Sequence, residues 1–392
     1  MLDVLLRGTE RVVTEEALAS RLASKRPLRV KLGLDPTAPA VTLGWAVVLR
    51  KLRQFQEHGH IAVLIIGDFT AQVGDPSGKS ETRRRLSADE VGAYAERVLA
   101  GFRKILLPEP LEIRHNSEWL ANLDMEAILE LTSQVTVAQM LERGDFAKRY
   151  AARQPITLME FVYPLLQGMD SVAVRADIEL GGSDQLWNLM VGRVLQERAG
   201  QDPQIPMTMP LLVGTDGVHK MSQSLGNYIA IDDAPAEMFG KIMSIPDELL
   251  VSYFELCTDV SEADVADIAK GLSDGSLHPG ETKRRLGSEI VKIYWGADEA
   301  LAAEAAFDQV FKRHEAPQDT LEFRLPGEDP VYLPSLLRSA GLVASASEAR
   351  RLIDGGAVKI DGERIGTFEV PHATLRQRVL QVGKRRFVRL IE

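Results

Sequence analysis

Apolar and polar residues in the first sixth of the chain follow a pattern that predicts a strand, a helix and a second strand. The stretch LRVKLGLDPTAP starts as an alternating strand and ends in a proline-containing turn. A helix is predicted next, because Val48, Leu49, Leu52 and Phe55 recur at helical spacing. The run IAVLIIGDF is continuously apolar, as expected for a parallel strand buried on both faces. Such a unit predicts a doubly wound α/β domain.

The pattern along the rest of the chain predicts a helical insertion, a helical domain and a small domain at the end. The segment from Ser87 to about Gln154 is mostly helical in pattern, and LMEFVYPLLQGMDSV and ADIELGGSDQ predict a later helix and a strand that runs into a glycine-rich turn. We predict four parts, namely an α/β domain over 1–231 with a helical insertion at about 87–154, a helical domain over 232–318, a linker over 319–332 and a small domain over 333–392.

Charge and composition narrow the functional class. The 392 residues carry a net charge of −10, yet the stretch from Val331 to Glu392 is locally +5. An acidic body with a basic end is typical of a protein that meets a polyanion through that end. Cys257 is the only cysteine, and neither a membrane span nor a signal peptide is apparent, so we expect a cytoplasmic protein without disulfides and without a protein-bound metal.

Three glycine- and aspartate-rich turns are predicted to follow strands. They are GLDPTAP (33–39), GDPSGKSETRRR (74–85) and GGSDQ (181–185), and a fourth loop, HKMSQSLGN, spans 219–227. Turns after the carboxyl ends of parallel strands line the ligand crevice, and glycines let backbone amides approach phosphates. Each turn alone is also what an ordinary βα connection looks like. Their order and spacing together favour a nucleotide site, although the Walker-type phosphate loop is missing.

A second candidate site lies on one predicted helix face. Tyr163, Gln167 and Asp170 are spaced i, i+4 and i+7, so they share a face, and apolar residues surround them. A carboxylate accepts a hydrogen bond from a phenol, and Gln and Tyr can hold an α-ammonium group. The alternative is a polar stripe that faces solvent.

At this point the chain resembles bacterial tyrosyl-tRNA synthetases, which are class I enzymes. The resemblance runs from about Gly33 to Phe387 and includes DPTAP, LRKLRQFQ, GDPSGKSETR, NSEWL, YPLLQGMD, GGSDQLWN and KMSQSLGNY. The segment GLVASASEARRLIDGGAVKIDG is similar to an S4 RNA-binding domain. The resemblance implies a Rossmann-like catalytic domain, a helical anticodon-binding domain and an S4-like tail. It also implies a homodimer whose interface includes the insertion.

The implied reaction has two steps. Tyrosine attacks the α-phosphorus of ATP, which enters with Mg²⁺, and the tyrosyl group then passes to the 3′ end of tRNA(Tyr). No residue bonds covalently to substrate, so catalysis consists of positioning and charge stabilisation. Arg350 and Arg351, at the start of the SEARRLI helix, are predicted to contact RNA.

The resemblance also implies roles for individual residues. Asp170 would meet the substrate hydroxyl, while Tyr163, Gln167 and Asp75 would meet the amino group and Gln185 would close the pocket. The residues implied to bind ATP are Gly33, Asp35, Gly44, Trp45, Gly182, Asp184, Lys220, Met221 and Gln223. The residues implied to assist catalysis are Thr37, Thr42, Lys79, Arg83, Lys220 and Gln223.

Four positions depart from the family pattern. The two signature histidines are replaced by Thr42 and Trp45, and the second lysine of the KMSKS loop is replaced by Gln223. Thr42 can cap the helix, and all three replacements can still donate a hydrogen bond. Lys31 stands where many members have a tyrosine that contacts the substrate phenol. It could donate to that phenol or point to solvent, and both interpretations remain open.

These departures leave rival functions. The first is a relative that binds tyrosine or RNA without ligation. The second is a ligase for another amino acid, with tryptophan nearest in fold, although the face of Tyr163, Gln167 and Asp170 argues against it. The third is adenylate transfer to an acceptor other than tRNA. We predict a tyrosine–tRNA ligase with altered phosphate contacts.

Overall fold

The computed structural model describes residues 1–76, 86–311, 321–383 and 386–391. It divides into two compact units, Met1–Gly296 and Ala297–Glu392, each described by itself. Within the described residues, no helix combines the length and the apolar character needed to cross a membrane.

A six-stranded sheet forms the centre of the first unit. Its strands are β1 (Arg11–Val12), β2 (Arg29–Leu34), β3 (Ile61–Ile66), β4 (Leu111–His115), β5 (Ile178–Gly182) and β6 (Ile205–Met209). Their order is β1-β6-β5-β2-β3-β4, and every neighbouring pair is parallel except β1 with β6. The chain leaves β2 toward β3 and later returns to β5 on the other side of β2. This reversal creates a crevice at the carboxyl ends of β2 and β5, where such sheets bind ligands.

Helices surround this sheet and extend beyond it. In chain order they are α1 (Leu2–Leu6), α2 (Glu15–Ala23), α3 (Leu43–Glu57), α4 (Thr70–Val73), α5 (Ala88–Phe102), α6 (Ser117–Leu120), α7 (Met125–Ser133), α8 (Val137–Met140), α9 (Gly144–Ala151), α10 (Leu158–Val174), α11 (Leu186–Arg198), α12 (Pro235–Met243), α13 (Leu250–Cys257), α14 (Glu262–Asp274) and α15 (Pro279–Trp295). Thr157 caps α10 in a reciprocal box with Glu160, which fixes where the helix begins.

The predicted strand–helix–strand unit is confirmed. Strands β2 and β3 pair in parallel from Arg29 with Ile61 to Leu34 with Ile66, and α3 connects them. Strand β3 is almost entirely buried, as its apolar run predicts. The same α3 residues that showed helical spacing, Val48, Leu49, Leu52 and Phe55, are buried.

Two local features differ from the sequence pattern. Strand β4 lies at the edge of the sheet within a region predicted to be mostly helical, because five half-buried residues at an edge carry little strand signal. The turn that starts at Gly74 follows α4 rather than β3 directly, so a short helix separates it from the strand end.

The second unit is a small α+β body. Its helices are α16 (Ala297–Phe311), α17 (Leu333–Ser339), α18 (Ala346–Asp354) and α19 (His372–Leu375). Its strands are β7 (Glu322–Arg324), β8 (Val331–Tyr332), β9 (Val358–Ile360), β10 (Glu363–Arg364), β11 (Glu369–Val370), β12 (Val379–Val382) and β13 (Arg386–Ile391). A five-stranded sheet runs in the order β10-β9-β12-β13-β7, and β11 pairs with β8. The described part of the predicted linker therefore contributes β7 and β8 to this unit.

Candidate active site

The loop that leaves β2 brings Asp35 to the centre of the crevice. One Asp35 carboxyl oxygen accepts a hydrogen bond from Thr70 Oγ1 at 2.6 Å, and the other accepts one from the Tyr163 hydroxyl at 2.8 Å. A side chain at Gly67 would lie 2.0 Å from Asp35 Oδ1, so only glycine permits this approach. Loss of solvent raises the pKa of Asp35 to about 7. Asp35 thus links the β2 loop to α10.

The inner face of α10 carries the three residues that share one helix face in the sequence. Tyr163 and Asp170 are buried and Gln167 is half-buried, so the solvent-facing alternative is excluded. Asp170 Oδ1 accepts a hydrogen bond from the Trp119 indole N–H at 2.9 Å, and Asn116 Nδ2 lies 3.4 Å from Asp170 Oδ2. Burial raises the pKa of Asp170 to about 7, although these donors and the charge of Lys31 oppose the rise.

Lys31 is completely buried beneath this face, so it does not point to solvent. Its ammonium group donates to Glu179 Oε1 at 2.8 Å, Ser171 Oγ at 2.8 Å and the Gln167 carbonyl at 3.1 Å. These acceptors match the three donors that an ammonium group has. Glu179 is also buried and accepts further hydrogen bonds from Ser171 and Gln204. Lys31 therefore neutralises a buried carboxylate and places a positive charge under the pocket.

A chain of side-chain amides connects the remaining pocket residues. Gln185 Nε2 donates to Asp75 Oδ2 at 3.0 Å. Asn188 Nδ2 donates both to Gln185 Oε1 at 3.0 Å and to Gln167 Oε1 at 3.1 Å. Asp75, Gln167 and Gln185, which the sequence assigned to the same ligand, therefore belong to one hydrogen-bonded network.

The sequence reasoning assigned no role to four residues that form hydrogen bonds with the predicted site residues, namely Asn116, Trp119, Glu179 and Asn188. Asn116 and Trp119 lie in the NSEWL block, directly after the edge strand that the pattern missed. Asn188 follows Gln185 by one helical turn in GGSDQLWN, and this spacing was the available signal.

The start of α3 forms the second half of the crevice. Thr42 is buried and caps the helix, since its hydroxyl accepts from the Trp45 backbone N–H at 3.3 Å, which confirms the predicted cap. The Trp45 ring lies 6.3 Å from the Phe102 ring and is tilted by 40° to it. The indole therefore packs against α5, where the family pattern has a small polar imidazole.

A small cleft lies between this helix start and the β2 loop. Its apolar wall includes Leu34, Val41, Trp45 and Phe102. Asp35, Thr37 and Gln223 supply polar groups. Gly33 lies at the crevice end of β2, and a side-chain Cβ there would meet open space.

The loop 219–227 closes over the same region. Lys220 Nζ donates to Asp184 Oδ2 at 2.7 Å, so two residues assigned to ATP pair with each other. Met221 packs over Gly44, because a Cβ at Gly44 would lie 3.6 Å from Met221 Cβ. At Gly182, a Cβ would lie 2.9 Å from Asp184 Oδ1. Glycine at position 182 therefore permits the close approach of Asp184.

Lys79 and Arg83 lie outside the described residues. Arg350 and Arg351 are exposed on α18, and Arg350 Nε donates to the Tyr332 hydroxyl at 3.0 Å. The described residues contain no cluster of three histidine, cysteine or carboxylate side chains arranged to hold a metal ion.

Comparison with known proteins adds two family matches. Residues 23–312 match the model of the class I tRNA synthetases (W and Y), and residues 333–367 match the S4 domain. The first match covers well over half of the chain.

Full-length relatives and solved structures agree with these matches. The chain is 53% identical over 393 residues to a tyrosine–tRNA ligase of Moorella thermoacetica, with 99% of this chain and 95% of that protein aligned. It is 47% identical to a tyrosine–tRNA ligase of Thermotoga maritima, with 99% and 96% aligned. The crystal structure of a tyrosyl-tRNA synthetase from Archaeoglobus fulgidus complexed with L-tyrosine superposes with a TM-score of 0.62 at 22% identity. That superposition covers 77% of this chain and 98% of that one, and it supports the fold.

Proposed function

We propose that this chain, which belongs to the class I tRNA synthetase family (W and Y), is a tyrosine–tRNA ligase. The observation that carries the proposal is an identity of about half over essentially the full length to tyrosine–tRNA ligases of several bacteria. These alignments extend over both units of the chain. The crevice supplies the chemistry.

In this proposal tyrosine binds at the α10 face above Lys31. The buried Asp170 accepts the phenol O–H, and a phenylalanine would leave this carboxylate without that partner, which is costly in a buried site. The hydroxyl of Tyr163 and the side chains of Gln167 and Asp75 hold the α-ammonium group. Gln185 closes the pocket through its hydrogen bond to Asp75.

ATP occupies the neighbouring half of the crevice and brings Mg²⁺ with it as part of the substrate. Gly33, Gly44 and Gly182 leave room for close backbone approach. Thr37, Thr42, Trp45 and Lys220 face the phosphates, Asp35 and Asp184 face the ribose side, and Met221 covers the nucleotide. Lys79 and Arg83, which lie outside the described residues, complete the pyrophosphate site in this proposal.

The first chemical step balances without a covalent enzyme intermediate. A tyrosine carboxylate oxygen forms a bond to the α-phosphorus while the bond to the bridging oxygen of pyrophosphate breaks. Charge develops on the leaving pyrophosphate, so fixed donors around it lower the barrier. The tRNA 3′-terminal hydroxyl then attacks the tyrosyl carbonyl and AMP leaves.

The tRNA contacts the basic end of the chain in this proposal. Arg350 and Arg351 are exposed side by side on α18, and guanidinium groups pair well with backbone phosphates. We retain the domain division of 1–231, with an insertion at about 87–154, 232–318, 319–332 and 333–392 as part of the proposal. Because tRNA is charged where translation occurs, we place the enzyme in the cytoplasm.

A homodimer is the second part of the proposal. Large apolar side chains are exposed on the insertion and the start of α10, with exposed fractions of 70% for Met125, 63% for Leu129, 60% for Val137 and 80% for Leu158. Contiguous exposed apolar patches mark association surfaces, and in this proposal these side chains form such a patch. A second copy of the chain is the occupant that the resemblance implies.

The altered signatures favour one other candidate, a relative that binds tyrosine without ligation. The observation behind it is that Trp45 packs against Phe102 where the family has a phosphate-binding histidine. The double variant Thr42→His, Trp45→His separates the two candidates. A re-adapted enzyme loses activity or gains nothing from the histidines. A relative that became inactive because it lost the histidines gains about 100-fold or more in rate, which is the effect of a single transition-state donor.

The direct test of the proposal is charging of tRNA(Tyr) with labelled tyrosine by the full chain. We expect tyrosyl-tRNA to form and the Lys220→Ala variant to lose most of the rate. Charging with tryptophan instead would replace the proposal by the tryptophan alternative. Adenylate formation without charging would point to another acceptor.

A further inference from the structure

The side-chain amide of Gln223 pairs with the main chain of Ala40. Gln223 Nε2 donates to the Ala40 carbonyl at 2.8 Å, and Gln223 Oε1 accepts from the Ala40 N–H at 3.1 Å. The backbone N–H and C=O of Ala40 are therefore both paired with the side-chain amide of Gln223. The contact joins the loop 219–227 to the turn between β2 and α3, and Ala40 and Gln223 are 183 residues apart in the chain.

The loop that carries Gln223 is internally braced. Asn227 Oδ1 accepts from the Ser222 N–H at 2.8 Å, and Asn227 Nδ2 donates to Asp216 and to the carbonyls of His219 and Lys220. A Cβ at Gly214 would lie within 2.5 Å of Asn227, so the Asn227 side chain packs directly against the backbone of Gly214. These hydrogen bonds hold the loop together internally, so the contacts that attach it to its surroundings determine where Lys220 and Met221 lie.

The turn on the other side carries the rest of the nucleotide half of the crevice. Asp35 and Thr37 precede Ala40, and the helix cap Thr42 follows it by two residues. Backbone pairing continues past the turn, since Leu43 N–H donates to Ile229 O at 2.9 Å and Ile231 N–H donates to Val41 O at 2.9 Å. Gln223 thus adds to a line of contacts between two segments that both face ATP in the proposed function. We call this line, formed by Gln223 with Ala40, Leu43 with Ile229 and Val41 with Ile231, the seam.

Only an amide satisfies this seam in full. A lysine at position 223 can donate to the Ala40 carbonyl but cannot accept from its N–H, whereas a glutamate can accept but repels the carbonyl. The glutamine at position 223, where the family signature has a charged lysine, therefore suits the backbone of Ala40 that it contacts.

We propose that Gln223 is a positioning residue, which acts on adenylate formation through the main chain of Ala40 and not through a phosphate. It holds the loop 219–227 against the Thr37–Thr42 turn, so that Lys220 and Thr42 keep a fixed separation. The inference rests on the proposed function and replaces the direct phosphate contact that the sequence assigned to Gln223.

The kinetic test compares Gln223→Lys, Gln223→Glu and Gln223→Ala in tyrosine-dependent ATP–pyrophosphate exchange by the full chain. If Gln223 positions the loop, all three lower kcat by about 3- to 10-fold, the scale of a lost hydrogen bond, and leave the KM for tyrosine unchanged. The control Val218→Lys adds the same charge at an exposed position of the preceding turn and leaves kcat unchanged. A Gln223→Lys variant that equals or exceeds the parent would overturn the proposal, because a direct phosphate contact gains from the charge.

A second readout does not depend on activity. Site-resolved hydrogen–deuterium exchange at the Ala40 amide becomes faster in Gln223→Ala and Gln223→Lys, whereas Gln223→Glu, which keeps the acceptor, retains protection. Equal exchange in the parent and in Gln223→Ala would refute the contact itself. If the parent protein shows no tyrosine-dependent pyrophosphate exchange, the proposed ligase function fails. Hydrogen–deuterium exchange at the Ala40 amide then still tests the contact between Gln223 and Ala40.

Discussion

The indole N–H of Trp119 donates a hydrogen bond to Asp170 Oδ1 over 2.9 Å, although 51 residues separate them in the chain. The bond ties the segment after β4 to the helix face that reads the substrate. It also favours the carboxylate form of Asp170, whose burial favours the neutral acid. Trp119 therefore tunes the acceptor that the proposed tyrosine site depends on.

Replacing Trp119 by Phe tests this relationship. Loss of the donor raises the pKa of Asp170 further, so less of the carboxylate is available near neutral pH. We expect tyrosine affinity at pH 7 to fall about 3- to 10-fold, the scale of one hydrogen bond. Titration calorimetry from pH 6 to 9 measures the effect, and affinity recovers toward high pH. Trp295→Phe, on α15, serves as the control, and an unchanged pH profile in Trp119→Phe would remove the tuning role.

The variant Asp170→Asn should weaken the binding of tyrosine much more than the binding of phenylalanine. A hydrogen bond to a charged group contributes about 1.5–3 kcal/mol, so the variant loses about 10- to 100-fold in tyrosine affinity. Phenylalanine, which has no hydroxyl, changes little. Equilibrium binding of both amino acids to the parent and the variant provides the comparison. Equal losses for the two ligands would place the phenol elsewhere.

The buried pair of Lys31 and Glu179 predicts a strongly coupled effect on stability. Lys31→Met leaves Glu179 charged and without its cation, which costs about 3–5 kcal/mol in the free energy of unfolding. Glu179→Gln in the same chain removes the uncompensated charge, and most of the loss should be regained. Urea unfolding of both single variants and the double variant gives the coupling. Additive losses would mean that the pair is not a unit.

The two carboxyl groups with a pKa of about 7, Asp35 and Asp170, predict a pH dependence of stability. Their ordinary pKa is 3.8, so between about pH 4 and pH 7 the folded chain binds more protons than the unfolded chain. The contribution of both groups to stability is therefore greatest at acidic pH, falls as the pH rises through this window and levels off above pH 7. Asp35→Asn should flatten the fall in Tm between pH 5 and pH 8. A variant whose Tm runs parallel to that of the parent would contradict the raised pKa.

The exposed apolar side chains of the insertion and of the start of α10 form the proposed dimer surface, and one charge placed there should disrupt the dimer. Leu158→Asp places a carboxylate in a surface that otherwise becomes buried, and light scattering should show a shift from dimer to monomer. Leu301→Asp, at a leucine with an exposed fraction of 68% on α16, is the matched control and should leave the mass unchanged. A parent protein that is monomeric at micromolar concentration would end the dimer proposal.

Sequence reasoning located the crevice because buried parallel strands and glycine-rich turns leave strong local patterns. It also identified the α10 face, since helical spacing brings Tyr163, Gln167 and Asp170 together without any tertiary information. It did not find β4, and hence gave Asn116 and Trp119 no role, because an edge strand is only half-buried. It left Lys31 undecided, since its partner Glu179 lies 148 residues away. The amide–backbone match of Gln223 is likewise invisible in sequence, because its partner is main chain.

The measurement that tests the central claim most directly is ATP–pyrophosphate exchange by the purified full-length protein, with tyrosine, phenylalanine and tryptophan in parallel. We predict exchange with tyrosine alone, although Thr42, Trp45 and Gln223 stand where the family has its usual signature residues. Absence of exchange while tyrosine still binds would contradict this account and leave a protein that has kept its amino-acid pocket without its chemistry.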